Sequence, residues 1–237
     1  MVRVLVTRPE PGATATARRL AAAGHEPVVL PLSEIGALFP VLPPASAIDC
    51  VAATSANALR HLPPAPPALL AKPCYTVGAR TAEAARLAGF ADVRAAGGDG
   101  AALAAMIVAS GAPPGSRVLY PCGRVRRPEF ERALGAAGMR VRPVEIYDTR
   151  FVPPGQVAAA LAADGRAIRA VLLHSPETAR AMASVLALDG PGGALAGASF
   201  YCLSAQVAAA LGTLGPARTY VSLEPTEDAL LTLLSPG

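Results

Sequence analysis

A gapless internal repeat constrains this chain more than any other feature. Arg3-Val-Leu-Val6 and Leu20-Ala-Ala-Ala-Gly24 recur as Arg117-Val-Leu-Tyr120 and Leu134-Gly-Ala-Ala-Gly138, both at an offset of 114 residues (117 − 3 and 138 − 24). A second pair sets Val51-Ala-Ala-Thr-Ser55 against Val171-Leu-Leu-His-Ser175, and Tyr75-Thr-Val-Gly-Ala79 against Tyr201-Cys-Leu-Ser-Ala205. The order is permuted, because the unit that opens at Met1 resumes only after the second copy of its opening strand, near Thr149. A chain that leaves one unit, builds another and returns needs two crossing segments, and Val29–Ile35 and Val144–Arg150 are both extended in pattern. The expectation is a discontinuous α/β lobe of residues 1–31 and 150–237, an inserted α/β lobe of residues 36–145, and linkers at 29–35 and 144–150. Two linkers permit hinge motion about a cleft while limiting twist.

Short β-type runs alternate with alanine-rich helical stretches along the whole chain, which specifies an α/β fold with parallel sheets. Strands are expected at Val2–Thr7, Asp49–Ala53, Cys74–Val77, Asp92–Ala95, Arg117–Pro121, Arg140–Thr149, Ala170–His174, Ser199–Leu203 and Arg218–Ser222. Helical composition and spacing mark Ala13–Ala23, Ala79–Ala88, Ala101–Ser110, Pro128–Ala137, Pro176–Ala187, Ala205–Leu214 and Thr226–Leu234. Gly24, Gly89, Gly111, Gly138 and Gly215 stand where left-handed C-caps are expected.

At 237 residues and 52% apolar composition the chain is long enough for one large or two small cores. Pro, Gly or a charge interrupts every apolar stretch before the ~18 residues that a spanning helix needs, so no membrane partner is expected. The N-terminus lacks an apolar segment long enough for a secretory signal, which places the protein in the cytoplasm. A net charge of +4 spread thinly, without a basic run and with 4% aromatics, argues against nucleic acid. Lys72 is the only lysine. Codon bias in a GC-rich genome accounts for most of that excess of arginine, while some guanidinium forks are suited to an anionic ligand.

The four cysteines and three histidines show no metal-ligand spacing. Cys50, Cys74 and Cys202 read as core residues in a reducing compartment. Cys122 ends a strand, but no histidine is placed to activate it. Walker, dinucleotide-binding, nucleophile-elbow and zincin motifs are absent.

Ligands of parallel sheets bind beyond the carboxyl ends of the strands. Here those positions are Thr7-Arg8-Pro9, Thr54-Ser-Ala-Asn57, Gly78-Ala-Arg-Thr81, Pro121-Cys-Gly-Arg124, His174-Ser-Pro-Glu-Thr178 and Ser204-Ala-Gln206. Each Ser or Thr taken alone reads first as a helix N-cap, and what favours an anion site is that six such loops gather hydroxyls and free N–H groups on one edge. Tyr147, in an expected linker, is either a proton donor or a tyrosine packed at the joint.

Taken together, Val4-Leu-Val-Thr-Arg-Pro9, Ala53-Thr-Ser-Ala-Asn57, Tyr75-Thr-Val-Gly-Ala-Arg-Thr81, Leu119-Tyr-Pro-Cys-Gly123, Val144-Glu-Ile-Tyr-Asp-Thr149, Leu173-His-Ser-Pro176 and Glu224-Pro-Thr226 resemble the uroporphyrinogen-III synthase family over essentially the whole chain. The resemblance implies two flavodoxin-like parallel-sheet lobes joined by a two-stranded linker. It implies a hydro-lyase that closes hydroxymethylbilane, a linear tetrapyrrole polycarboxylate, to uroporphyrinogen III with inversion of the last ring, through a spiro intermediate. No metal or organic cofactor is implied. A monomer is expected, and the resemblance allows transient contact with the preceding pathway enzyme.

Under that reading Ser55, Asn57, Gly78, Thr81, Gly123, Ser175, Thr178 and Ser204 face the substrate carboxylates. Arg8, Arg80 and Arg124 assist them, and Tyr147 is the acid at the leaving hydroxyl. The family's last hydroxyl-rich loop usually reads Ile-Gly-Pro-x-Thr, whereas this chain has Leu203-Ser-Ala-Gln-Val207. A two-lobed binding protein for an anionic small molecule and a flavodoxin-like electron carrier are the alternatives.

Overall fold

Val4, Leu5 and Val6 have no exposed surface, and neither do Ala170, Val171, Leu172 and Leu173. Continuous apolar runs of this kind belong to parallel strands covered on both faces, where no side is left to be polar. The computed structural model of the protein describes residues 1–126, 128–189, 193–212 and 218–234.

The chain begins β1 (Arg3–Val6), α1 (Gly12–Ala22), β2 (Glu26–Val29) and β3 (Ser33–Ala37). It continues through β4 (Cys50–Ala53), α2 (Ala56–Arg60), α3 (Pro67–Leu70), β5 (Cys74–Thr76), α4 (Ala79–Leu87), β6 (Val93–Ala95) and α5 (Gly100–Ala109). Then come β7 (Arg117–Gly123), α6 (Glu129–Ala136), β8 (Arg140–Phe151), α7 (Pro154–Asp164), β9 (Ala170–Leu173) and α8 (Pro176–Asp189). The last elements are β10 (Ser199–Cys202), α9 (Ala205–Leu211), β11 (Thr219–Val221) and α10 (Glu227–Thr232). Met1–Ile35 with Arg150–Gly237 form one compact unit, and Gly36–Thr149 form the other.

The first unit carries a sheet in the order β11-β10-β9-β1-β2, and its strand pairs are parallel. Numbered along the chain within the unit, this is the flavodoxin order 2-1-3-4-5. The second unit's sheet runs β3-β8-β7-β4-β5-β6. Its five main strands follow 3-2-1-4-5, a doubly wound order that differs from the flavodoxin one. Permutation accounts for the whole difference. When β1 is matched with β7, β2 with β8, and β9, β10 and β11 with β4, β5 and β6, the two spatial orders coincide.

The helices obey the same correspondence. Period-two alternation sends Val4 and Val6 to one face of the first sheet and Leu5 to the other. The Val4 and Val6 face packs on Ala13 and Leu20 of α1 and Leu230 of α10. Leu5, Val171, Leu173 and Phe200 pack on Val157 and Leu161 of α7, Met182 and Val185 of α8, and Val207 and Leu211 of α9. In the second sheet Val118, Tyr120 and Cys122 meet Leu103 and Ile107 of α5 and Phe130 and Leu134 of α6. Val51, Ala53, Cys74 and Leu119 meet Leu59, Leu69, Ala84 and Ala85 of α2, α3 and α4.

Several boundaries differ from the sequence reading. β2 is additional to the expected strands; it contains Pro27, and it is the edge strand of its sheet, where a missing N–H leaves no ladder bond unmade. Extended chain is thus divided into β2 and β3, where one linker at 29–35 was expected. α2, α3 and α7 were also not foreseen. α2 and α3 are too short to show a helical period, and α7 opens at the second of two prolines, Pro153 and Pro154, with Pro154 at its first position. Gly24, Gly89, Gly111 and Gly138 all have positive φ at their helix ends, as a C′ glycine requires. Gly215, and the expected extension of α9 to Leu214, lie outside the described residues.

Phe200 is the bulkiest fully buried side chain of the first unit. Phe200→Ala is expected to lose about 3–5 kcal/mol of stability through lost burial and a residual cavity. Urea unfolding checks this, and a loss below about 1 kcal/mol would contradict the packing described.

Candidate functional site

In an open parallel sheet the ligand crevice lies outside the carboxyl ends of the two strands at which the strand order reverses. The reversal falls between β1 and β9 in the first unit and between β4 and β7 in the second. Each unit therefore presents one such edge, and the residues named above divide between them.

At the first unit's edge, Thr7 follows β1, and its hydroxyl donates to the carbonyl of Leu172 at 2.6 Å, tying β1 to β9. Arg8 does not face an open surface. Its Nη1 donates to Glu227 Oε1 at 3.0 Å and to Thr16 Oγ1 at 3.2 Å, and its guanidinium lies over Gly12, where a Cβ would come 2.5 Å from Nε. Thr16 donates to the same Glu227 oxygen, Arg19 Nη1 stands 3.5 Å from Glu227 Oε2, and His174 Nε2 lies 3.9 Å from Oε1. Burial pushes the Glu227 carboxyl up, but the Thr16 hydroxyl and the charges of Arg8, His174 and Arg19 outweigh it and hold the group below its usual range.

Ser175 and Thr178 stand together at the start of α8. Ser175 Oγ accepts from the Thr178 N–H at 3.1 Å and lies 3.0 Å from Thr178 Oγ1. Ser204 caps α9 by accepting from the Val207 N–H at 3.4 Å. A capping hydroxyl uses one lone pair and keeps its proton, so it remains able to donate to a carboxylate.

At the second unit's edge, Ser55 caps α2 by accepting from the Asn57 N–H at 3.2 Å, and Asn57 Oδ1 accepts from Arg60 at 3.3 Å. Thr54 Oγ1 and the buried Tyr120 hydroxyl are 2.8 Å apart, and the Tyr120 ring lies 4.8 Å from that of Phe130. Burial raises the Tyr120 phenol against the lowering effect of Thr54. Gly78 precedes α4 in an extended conformation with open space where a Cβ would stand, and the buried Thr81 donates its N–H to the Gly78 carbonyl at 3.1 Å. Arg80 is exposed, and no ion pair is found for it among the described residues.

Arg124 is committed elsewhere. Its side chain reaches Glu145 at 3.4 Å and Asp148 at 3.0 Å, and its N–H donates to the Tyr147 carbonyl at 2.9 Å. Tyr147 lies within β8, in register with Gly123 of β7, and is half-buried. Its ring centroid is 6.4 Å from that of His61.

All four thiols are buried and free. Burial pushes Cys122 up to about 11, which keeps it a thiol at neutral pH and makes it a poor nucleophile. Among the described residues no cluster of three or more His, Cys, Asp or Glu side chains could hold a metal ion, and no helix is long and apolar enough to cross a membrane.

Sequence reasoning missed Glu227, Thr16 and the Thr54–Tyr120 pair. Glu227 follows Glu224-Pro-Thr226 directly, yet its partner Arg8 lies 219 residues away, a separation no local pattern encodes.

Comparison with known proteins adds a relation. The family model described as uroporphyrinogen-III synthase HemD matches residues 14–232. The uroporphyrinogen-III synthase of Saccharomyces cerevisiae is 36% identical over 95 residues, a stretch that covers 37% of this chain and 34% of that protein. The alignment thus spans about a third of that relative's length. The crystal structure of uroporphyrinogen-III synthetase from Helicobacter pylori 26695 is similar at a TM-score of 0.66 and 17% identity, over 98% of this chain and 97% of that one. A mutant uroporphyrinogen III synthase from the extremely thermophilic bacterium Thermus thermophilus gives 0.59 and 20%, over 99% and 96%. At those identities the structural likeness concerns the fold.

The Glu227 cluster predicts an acid-limb effect. A carboxyl whose folded pKa lies below the ordinary 4.5 adds stability above that value and loses it as pH falls toward the folded one. Glu227→Gln is expected to be about 1–3 kcal/mol less stable at pH 7 and to lose less on acidification below pH 4.5. Urea unfolding between pH 3 and 7 checks this, and an unchanged acid limb would contradict it.

Proposed function

The chain belongs to the uroporphyrinogen-III synthase HemD family, whose model matches residues 14–232, and on that basis we propose that it closes hydroxymethylbilane to uroporphyrinogen III with loss of water. The family match carries this reading. The hydroxyl-rich carboxyl edges of both sheets support it, because a substrate with an acetate and a propionate on each ring needs many hydrogen-bond donors.

In the proposed reaction the hydroxyl of the hydroxymethyl group leaves as water, with electrons supplied by the adjacent pyrrole nitrogen. The resulting azafulvene is attacked by the substituted carbon of the terminal ring to give a spiro intermediate. Rearrangement and closure then invert that ring. The substrate itself supplies the electronic push, so the protein's task is to hold the chain ends in the spiro-forming geometry and to assist departure of water.

Ser55, Asn57, Gly78, Thr81 and Gly123 on one edge, and Ser175, Thr178 and Ser204 on the other, are assigned to the carboxylates. Arg80, exposed beside Gly78, is the arginine best suited to join them. Arg8 and Arg124 serve chiefly by holding Glu227 and β8. Tyr147 is assigned as the proton donor to the leaving hydroxyl.

Enzymatically generated hydroxymethylbilane tests the proposal. The wild-type protein is expected to accelerate closure and yield the type III isomer, while Tyr147→Phe lowers kcat by at least about 100-fold, within the range general acids supply, and keeps type III as the main product. Closure at the spontaneous rate with type I product would overturn the function and leave an anion-binding protein. Wild-type turnover by Tyr147→Phe would overturn the donor role alone.

A further inference from the structure

We propose that Gly123 is a positioning residue that seats the Tyr147 ring, acting with a bulge in β8 to fix where the phenol points; this rests on the assignment of Tyr147 as proton donor. β7 and β8 pair in parallel register from Arg117↔Arg140 to Cys122↔Glu145, and then the register jumps to Gly123↔Tyr147. The extra residue on β8 is Ile146, wholly buried. A bulge shifts the alternation of the strand beyond it and so re-aims every later side chain, a device common beside active sites. Without the extra residue Ile146 would stand opposite Gly123.

The bulge is pinned on both sides. The Ile146 carbonyl accepts from the Leu38 N–H at 2.7 Å, and the Tyr147 carbonyl accepts from the Arg124 N–H at 2.9 Å. The Arg124 side chain then spans it, reaching Glu145 before it and Asp148 after it, and Arg126 adds a second contact to Glu145 at 3.2 Å. The backbone at Tyr147 is therefore held by the loop that begins at Gly123.

Gly123 fixes the ring. A Cβ placed there would lie 2.7 Å from Tyr147 Cζ, 2.9 Å from Cε2 and 3.0 Å from the hydroxyl oxygen, and these are the nearest atoms it would meet. Gly123 does not have positive φ, so no backbone conformation demands glycine at this position. What demands it is the phenol end of Tyr147. Any side chain at 123 must displace the hydroxyl by roughly the 1 Å that separates a clash from ordinary contact, and misplacement on that scale can cost on the order of 10²-fold in rate.

The test is a pair of mutant cycles in the full-length protein. Gly123→Ala keeps the backbone N–H that is assigned to the substrate carboxylates, and is expected to lower kcat by about 10–100-fold with KM within about twofold of wild type, and to cost nothing further when added to Tyr147→Phe. Equal losses in the two backgrounds, or wild-type kcat in Gly123→Ala, would overturn the proposal. A second cycle needs no activity. Gly123→Ala is expected to lower Tm in the wild type but not in Tyr147→Ala, where the ring is gone; if Gly123→Ala alone does not fold, the double variant should. A Tm loss that persists without the ring, or a double variant that still fails to fold, would overturn the seat. If the wild-type protein does not accelerate closure, the functional reading falls, and this thermal cycle still decides whether Gly123 seats Tyr147.

Discussion

Parallel pairing between buried strands is the constraint from which the rest of this protein follows. Strands covered on both faces use their side chains for packing, so only the two ends of each sheet remain for anything else. The ends then take different work. At the amino ends, Arg3 pairs with Glu26 and Asp164, and Arg117, its counterpart in the repeat, makes a two-pronged contact with Asp49 that draws the carboxyl down to about 2. At the carboxyl ends, the residues that follow the strands include hydroxyls, glycines and helix caps beside Arg8, Arg80 and Arg124. Guanidinium–carboxylate pairs thus brace the amino edge at both copies of the repeat, whereas the carboxyl edges combine such pairs, Arg8 with Glu227 and Arg124 with Glu145 and Asp148, with neutral hydroxyl and N–H donors.

That division changes the meaning of the arginine-rich composition. Arg8, Arg19, Arg94, Arg117, Arg124 and Arg126 all reach carboxylates of this chain. Arginines that looked like candidates for an anionic ligand therefore hold the fold instead, with Arg80 the exception among the three singled out. A polycarboxylate recognised mainly by hydroxyls and backbone N–H groups would be bound by many modest contacts, which suits an enzyme whose catalysis is dominated by orientation.

Much of this was legible in the sequence because the repeat is long-range information written locally. Val51 against Val171 and Tyr75 against Tyr201 identified the permuted strands, and the permutation explains how the two strand orders are related. What was not legible depended on position within the sheet or on distant partners. Pro27 can stand in β2 because that strand is an edge, a place set by the order of the whole sheet. Arg8 gave no sign of Glu227, and Gly123 read as a loop residue because nothing in its neighbours announces a bulge more than twenty residues later. Tyr147 drew attention through its place in an extended segment, but its setting, inside β8 and on Gly123, is a product of register, which composition does not encode.

Hydrogen–deuterium exchange with uroporphyrinogen III bound under anaerobic, reducing conditions tests the central claim most directly, since it reads backbone N–H groups along the whole chain at once. Slowed exchange is expected at residues 54–57, 78–81, 123–124, 175–178 and 204–206, with residues 72–74, 115–117 and 138–140 unaffected. Slowing confined to those amino-end segments, with none at the carboxyl ends, would contradict it.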